Sequence, residues 1–173
     1  MPSVSRVAIL GAESTGKSTL AATLAAHYNT LWVPEYLREF VETYQRTPQE
    51  HEQFHIAVTQ VRYEAKAIQR ARSFLFCDTT PLMTALYSRF YFGRIDAPLE
   101  ALASTHSYDF TIVTPPTSPW VPDGLQRESP EVRQTIHEQL LATLDARAIP
   151  YLLVDGDAEE RVRRVTKHLP AQD

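Results

Sequence analysis

The stretch Gly11-Ala12-Glu13-Ser14-Thr15-Gly16-Lys17-Ser18 matches the pattern G-x-x-x-x-G-K-[ST]. Its glycines carry no Cβ atom, so the backbone can wrap closely around a phosphate group. The amide groups that follow, together with the N-terminus of the next helix, supply hydrogen-bond donors and a positive dipole. The stretch therefore predicts a phosphate-binding loop, or P-loop.

The side chains of this loop predict how ATP and magnesium would be bound. Lys17 can reach the β- and γ-phosphates and stabilise charge on the transferred group, which makes it a candidate catalytic residue. The Ser18 hydroxyl can bind Mg²⁺. The residues predicted to contact the ATP phosphates are Gly11, Glu13, Ser14, Thr15, Gly16, Lys17, Ser18 and Thr19.

Short apolar segments recur along the chain, and the first directly precedes the P-loop. They cover residues 7–10, 31–33, 74–77, 110–113 and 151–154. Such runs are typical of strands buried on both faces, although periodicity alone does not distinguish them from helices. Longer segments with helical spacing separate them. This alternation predicts an α/β protein of the P-loop NTPase class, with a five-stranded parallel sheet and helices on both faces.

Three of the predicted helices have recognisable starts. Thr47-Pro48-Gln49-Glu50 combines a capping threonine, a proline at the first helical position and a closing glutamate. Ser129-Pro130 and Asp157 begin the other two. The apolar positions predicted to be buried are Phe54, Ala57, Val58, Val61 and Ile68 in the first helix, Val132, Ile136, Leu140 and Leu144 in the second, and Val162, Val165 and Leu169 in the third.

Composition predicts one cytoplasmic domain over residues 1–173. Hydrophobic residues make up 43% and charged residues 22%, as in ordinary globular proteins. The net charge of -4 argues against a nucleic-acid partner, and no apolar run approaches the roughly 20 residues of a membrane span. A single cysteine excludes a disulfide framework. The N-terminal residues show no signal-peptide cleavage pattern.

A second motif, His51-Glu52-Gln53-Phe54-His55, matches the zinc-protease pattern H-E-x-x-H. Two histidines four residues apart share a helix face and could bind Zn²⁺. No third ligand follows at a suitable spacing, because His55 leads into an apolar segment. The sequence therefore favours two polar residues near the start of an amphipathic helix over a zinc site.

Two carboxylates follow predicted strands and are candidate site residues. Asp78 follows the third strand, where a second Mg²⁺ ligand or a group that orients the attacking hydroxyl belongs. Capping of the next helix is the alternative role for Asp78. Glu35 follows the second strand and could accept a proton or hold a ribose, and Arg38 would share its helix face. An exposed ion pair is the alternative for these two.

A short lid is predicted after the fourth strand. Residues 114–124 contain four of the 12 prolines and lie between a strand and a helix, where functional loops of α/β proteins occur. Arg127 follows this segment and could close over the transferred phosphate as a catalytic residue. A solvated surface arginine is the alternative.

These residues resemble the ribosylnicotinamide kinase domain of the bifunctional bacterial NAD-biosynthesis proteins. The resemblance runs from the P-loop through Glu35-Tyr36-Leu37-Arg38-Glu39-Phe40, Arg62-Tyr63 and Asp78-Thr79 to Trp120-Val121-Pro122-Asp123-Gly124-Leu125. It implies a nucleoside-kinase-like fold and transfer of phosphate from ATP to the 5′-hydroxyl of nicotinamide riboside. The kinase would take up all 173 residues, without the adenylyltransferase and DNA-binding parts of those proteins.

The resemblance also implies a substrate site. Tyr63 matches an aromatic residue that stacks on the pyridine ring, while Glu35, Arg38 and Asp78 match the polar lining around the ribose. Pro34 stands where the family has a tryptophan, and Trp32 would replace that wall because period two places it on the same side of a strand. The arginine that the family places directly after Asp-Gly-Leu is Gln126 here, with Arg127 one residue later.

Two other functions are compatible with the same loop. One is a deoxynucleoside or nucleotide kinase, and the other is a P-loop ATPase or regulatory switch that phosphorylates no small molecule. A lid and the polar group Glu35, Arg38 and Asp78 favour a second-substrate pocket, which a switch does not need. Phosphorylation of a small nucleoside is therefore the preferred hypothesis.

Overall fold

A computed structural model describes residues 3–120 and 129–171 of the chain. Within these residues the strands form one five-stranded parallel sheet in the order β2-β3-β1-β4-β5. The strands are β1 (Ser5–Leu10), β2 (Leu31–Val33), β3 (Phe74–Asp78), β4 (Phe110–Val113) and β5 (Leu152–Leu153). The predicted parallel sheet is confirmed. β1 and β3 extend beyond the predicted apolar runs, because Ser5 and Asp78 also pair in register, and β5 is shorter.

Helices connect the strands. They are α1 (Lys17–His27), α2 (Tyr36–Tyr44), α3 (Gln53–Ala67), α4 (Pro81–Phe92), α5 (Ala97–Thr105), α6 (Pro130–Ala146) and α7 (Ala158–His168). Ser129 and Asp157 cap α6 and α7 as predicted, since each side chain accepts a hydrogen bond from the backbone of the first turn. No helix of the described residues is long and apolar enough to cross a membrane.

Side chains of β1 alternate between the two faces of the sheet. Val7 and Ile9 pack in a core cluster with side chains of α1 and α7. Ala8 and Leu10 pack on the opposite face with side chains of α4 and α6. β1 pairs with β3 on one side and with β4 on the other, so the P-loop that follows it emerges from the centre of the sheet. Helices cover both faces of the sheet there.

The start and the buried face of α3 differ from the sequence prediction. A 3₁₀ turn (Glu50–Glu52) precedes the helix and is capped by Gln49, whose capping box is closed by Glu52, so Thr47 is not the cap. The predicted face is also wrong in part, because Phe54 is 37% exposed. The buried positions of α3 are Gln53, Ile56, Ala57, Gln60 and Glu64. This helix buries polar side chains because Gln53 and Gln60 line the cleft described below, and because one carboxylate of the helix is buried among partners of its own.

Glu64 is that carboxylate, and three side chains surround it. Glu64 is 0% exposed. Its Oε1 lies 2.9 Å from His106 Nε2 and 3.8 Å from Arg6 Nε, and the Tyr108 hydroxyl donates to Oε2. Burial, together with the Glu64 charge, raises the pKa of Tyr108 well above its usual value. These contacts fix α3 to the loop before β4.

We expect Glu64→Ala to lower the free energy of unfolding by about 1–3 kcal/mol, since it leaves the Tyr108 hydroxyl without its acceptor and removes the carboxylate that His106 and the partly exposed Arg6 face. Urea unfolding measures this loss. Glu138→Ala, at an exposed position of α6, is the matched control and should change stability by less than about 0.5 kcal/mol. Equal unfolding midpoints for the two variants would contradict the structural role of Glu64.

Candidate active site

The candidate site lies at the carboxyl ends of the central strands. The P-loop follows β1, and Asp78 at the end of β3 pairs in register with Ile9 of β1. A cleft of about 330 Å³ opens beside them and is bordered by α2, α3 and α4. Its lining includes Glu13 of the P-loop and Thr79, the neighbour of Asp78, so the cleft reaches the predicted phosphate site. Ligands of open parallel sheets bind at this edge.

The backbone of the P-loop has the form of a phosphate cradle. Gly16 has a φ of +87° and Ser14 a φ of +56°, in the left-handed region that turns amide groups inward. A Cβ atom at Gly11 would lie 2.4 Å from Thr114 Oγ1, so the strand end accepts only glycine there. No side chain of the described residues caps α1, and its first turn holds no acidic residue. The free amides of α1 therefore fit the phosphates of ATP.

The side chain of Lys17 is held against the P-loop by an internal hydrogen bond. The side chain is buried, and Nζ donates to the carbonyl of Ala12 at 3.0 Å. Thr15 Oγ1 donates to the same carbonyl at 2.7 Å. A phosphate oxygen is a stronger acceptor for an ammonium group than a backbone carbonyl is. Lys17 can therefore exchange this internal bond for a bond to the bound nucleotide.

The structure brings together the two residues predicted to bind Mg²⁺. Ser18 Oγ donates to Asp78 Oδ2 at 2.7 Å. Asp78 is 0% exposed, and its Oδ1 has no hydrogen-bond partner among the described residues. A buried carboxylate oxygen without a donor is costly unless a cation completes its environment. Carboxylate and hydroxyl oxygens are ligands that Mg²⁺ prefers, so this pair fits the ion.

The turn after Asp78 is strained. Thr79 has a φ of +73°, which is rare for a β-branched residue, and its N–H donates to Ile9 O at 3.0 Å. A residue in this region costs about 1–3 kcal/mol and persists where its surroundings fix it, most often at functional sites. The turn leads directly from the Asp78 carboxylate into α4.

The residues predicted around the ribose are also brought together. Glu35 is the N-cap residue of α2, one turn before Arg38, and both line the cleft. Gln60 of α3 fixes this region: its Oε1 accepts from Tyr36 N at 2.7 Å, and its Nε2 donates to Pro34 O at 3.0 Å. Sequence reasoning missed Gln60, because a glutamine on a helix gives no signal of its own.

Tyr63 and Trp32, which are predicted to contact the substrate ring, are not among the described residues that line the cleft. Tyr63 packs against Val33, Leu75 and Cys77, and its hydroxyl donates to Glu39 Oε2 at 3.0 Å. Trp32 packs with the core cluster on the α1 and α7 side of the sheet. Both rings pack against the sheet near β2.

Other aromatic residues do line the cleft. Tyr87 and Tyr91 lie one turn apart on α4, with their rings parallel within 7° and their centroids 6.1 Å apart. Phe92 adds a third ring. The signal in the sequence was the Tyr-x-x-x-Tyr spacing, which places both side chains on one helix face.

Two further predictions concern residues beyond the cleft. Arg127, predicted to close over the phosphate, lies outside the described residues, as do residues 121–124 of the predicted lid. In the H-E-x-x-H motif, the ring of His55 contacts the ring of Tyr36 edge to face. Within residues 3–120 and 129–171, no group of three or more His, Cys, Asp or Glu side chains is arranged to hold a metal ion.

A family model described as an AAA domain matches residues 6–161. The matched span includes the P-loop, Asp78 and every cleft residue named above. The chain belongs to this family. Membership confirms the nucleotide-binding class predicted from the P-loop.

Comparison with individual proteins shows a more specific similarity than the family model does. The trifunctional NAD biosynthesis/regulator protein NadR of Salmonella typhimurium is 32% identical over 145 residues, which are 82% of this chain. The chain spans only 35% of the length of that curated relative. The resemblance to the bacterial NAD-biosynthesis proteins is thereby confirmed.

Solved structures share the fold. A crystal structure of NadR in complex with NR superposes with a TM-score of 0.83 at 20% identity, covering 98% of this chain and 52% of that chain. A deoxyadenosine kinase from M. mycoides matches with a TM-score of 0.66 at 14% identity, covering 96% of this chain and 100% of that chain. At these identities the likeness establishes the fold, which is that of the P-loop nucleoside kinases.

Proposed function

We propose that this protein is an ATP-dependent kinase that phosphorylates a small nucleoside, and that the acceptor is nicotinamide riboside. The product would be nicotinamide mononucleotide, as in NAD salvage in the cytoplasm. One observation carries the proposal: the cleft lined by carboxylates and aromatic rings reaches the P-loop at Glu13 and, at Thr79, the turn after the Asp78 that accepts from Ser18. The similarity to NadR supports the same reaction.

In the proposed reaction the 5′-hydroxyl oxygen bonds to the γ-phosphorus of ATP, the bond to the β–γ bridging oxygen breaks, and ADP leaves. The hydroxyl proton passes to a carboxylate, for which Glu35 and Asp78 are the candidates at the ends of neighbouring strands. Lys17 stabilises charge on the transferred group. Mg²⁺ bound by Ser18 and Asp78 would neutralise the β- and γ-phosphate oxygens. Arg127 would add a further positive charge.

Charge in the cleft supports a cationic acceptor. The charged side chains among its described lining residues are Glu13, Glu35, Glu42 and Arg38, which leaves the acceptor pocket with an excess of carboxylates. Nicotinamide riboside carries a positive pyridinium ring, whereas ordinary nucleosides are neutral. The paired rings of Tyr87 and Tyr91 offer the face on which such a cation is stabilised.

A deoxynucleoside kinase is the second candidate. The likeness to the deoxyadenosine kinase from M. mycoides favours it, because this chain covers the full length of that kinase. That likeness rests on the shared architecture, while the acidic lining of the cleft points to a charged acceptor.

Dependence of ATP consumption on the acceptor tests the proposal. With Mg²⁺ present, ADP should form rapidly on addition of nicotinamide riboside and only slowly without any nucleoside. Rapid ADP formation that no nucleoside stimulates would support the regulatory ATPase instead. Stimulation by a deoxynucleoside alone would support the second candidate.

Replacement of Tyr91 tests the ring contact. Tyr91→Ala should raise KM for nicotinamide riboside roughly 5- to 30-fold, which corresponds to a cation–π contact of about 1–2 kcal/mol. KM for ATP should change little, since Tyr91 lies in the acceptor part of the cleft. Initial rates at varied nucleoside and ATP concentrations give both constants.

Tyr63→Ala is the matched control for Tyr91. Because Tyr63 packs against the sheet, its loss should lower the melting temperature and leave the ratio of the two KM values unchanged. A selective rise in the nucleoside KM of Tyr63→Ala, without one in Tyr91→Ala, would show that Tyr63 and not Tyr91 contacts the pyridinium ring.

A further inference from the structure

Two buried arginines from distant parts of the chain meet at the outer side of the P-loop. Arg133 of α6 is 6% exposed and Arg161 of α7 is 5% exposed. Arg133 Nη1 donates to Ser14 O at 3.1 Å, and Arg161 Nη1 donates to the carbonyl of the next residue, Thr15. Two helices that follow different strands thus hold consecutive carbonyls of one loop.

These bonds serve the orientation of the loop. A backbone that turns its amide groups toward a phosphate must turn neighbouring carbonyls away from it, and buried carbonyls need donors. Ser14 O receives a second bond from Ser118 Oγ at 2.9 Å, and Arg133 Nη2 donates to Ser118 O at 2.8 Å. A Cβ atom at Gly16 would lie 2.6 Å from Arg161 Nη1, so this glycine also leaves room for the guanidinium.

The charges of both arginines are not balanced by ion pairs within residues 3–120 and 129–171. No carboxylate of the described part of the chain forms an ion pair with either guanidinium. The Nε atoms of Arg133 and Arg161 are buried without an acceptor there. Burial lowers the pKa of Arg161, and the exposed Asp155 carboxylate opposes this only in part. Buried cations are normally paired, so two unpaired ones beside an anion-binding loop call for an external anion.

We propose that Arg133 and Arg161 are positioning residues of the ATP site. Through Ser14 and Thr15 they keep the amides of the P-loop directed at the phosphates, and the polyphosphate of ATP is the counter-ion of their charges. The proposal rests on ATP binding in the proposed function. It assigns a role in nucleotide affinity to two side chains outside the P-loop pattern.

The test separates charge from hydrogen bonding. Arg133→Gln and Arg161→Gln keep an N–H donor and remove the charge, whereas Arg133→Lys and Arg161→Lys keep both a donor and the charge. Calorimetric titration with ATP and with ADP measures affinity without any need for turnover. Each Gln variant should bind ATP about 10-fold or more weakly, because a buried positive charge attracts the polyphosphate more strongly than an exposed one does. Each Lys variant keeps the charge and should bind ATP within about 3-fold of the wild type.

The two nucleotides provide the readout that a purely structural role would not move. ATP carries one more negative charge than ADP, so the Gln variants should lose more affinity for ATP than for ADP. A misfolded loop would weaken both equally. Arg163→Gln on the exposed face of α7 and Arg147→Gln at the end of α6 are matched controls, and both should bind as the wild type does.

Each outcome decides the proposal. Gln variants that bind ATP as tightly as the wild type, or Lys variants that lose as much as the Gln variants, would overturn it and leave the proposed kinase standing. A wild-type protein that binds no ATP would overturn the proposed function and this role with it. Melting temperatures without nucleotide identify a variant that fails to fold, in which case the Lys variants and the other arginine carry the test.

Discussion

Lys17→Ala is expected to lower kcat for phosphoryl transfer by about 10²-fold or more, with the fold intact. Lys17 lies at the start of α1 with its ammonium group at the P-loop, where the β- and γ-phosphates would lie in the proposed complex with ATP. Charge on the transferred group grows in the transition state, and no other lysine lies in the P-loop. Single-turnover kinetics with saturating ATP and nucleoside measure the loss directly.

Lys66→Ala is the control for this experiment, because Lys66 is an exposed residue near the end of α3. It should leave kcat unchanged. Circular dichroism of both variants checks that the sheet and the helices are retained. A well-folded Lys17→Ala protein with unchanged turnover would end the P-loop kinase account.

Asp78→Asn should lower kcat by about 10²-fold while changing the nucleoside KM far less. The amide nearly preserves shape and can still accept the bond from Ser18 Oγ, so the lost charge is what the substitution tests. In the proposed function, loss of that charge would weaken the Mg²⁺ site and remove a group that orients the acceptor hydroxyl. Titration of the rate with Mg²⁺ should also show that the variant needs a higher Mg²⁺ concentration to reach half of its maximal rate.

The exposed Asp145 of α6 offers the matched control Asp145→Asn, which should behave as the wild type. If Asp78→Asn lowers only the melting temperature and keeps its kcat, Asp78 is a structural residue at the start of α4. That result would contradict the metal and hydroxyl roles together.

The sheet could be predicted because its central strands β1, β3 and β4 are mostly buried on both faces. Residues 31–33 and 110–113 were predicted with the bounds that the structure has, since short, mainly apolar runs between longer helical segments are typical of strands in an α/β fold. The face of α3 could not be predicted in the same way. Its buried side chains include Gln60 and Glu64, whose partners are distant in sequence, and apolar periodicity does not register such pairs.

The residues of the candidate site also differ in whether a local sequence signal predicts them. The P-loop and Asp78 could be located because the backbone geometry of a phosphate cradle and the end of a buried strand both leave local signals. The ring contact could not, because the direction of Tyr63 depends on how α3 packs on β2. The contacts of Arg133 and Arg161 with the P-loop could not be predicted for the same reason. The two side chains reach the loop from helices that are distant in sequence and come together only in the fold.

Competition between nucleosides tests the central claim most directly. Wild-type protein is incubated with ATP, Mg²⁺ and an equimolar mixture of nicotinamide riboside and uncharged nucleosides, and the products are identified by mass. We predict that nicotinamide mononucleotide forms first and in equal amount to ADP. A mixture in which an uncharged nucleoside is phosphorylated in preference, or in which ADP accumulates without any phosphorylated nucleoside, would contradict the account.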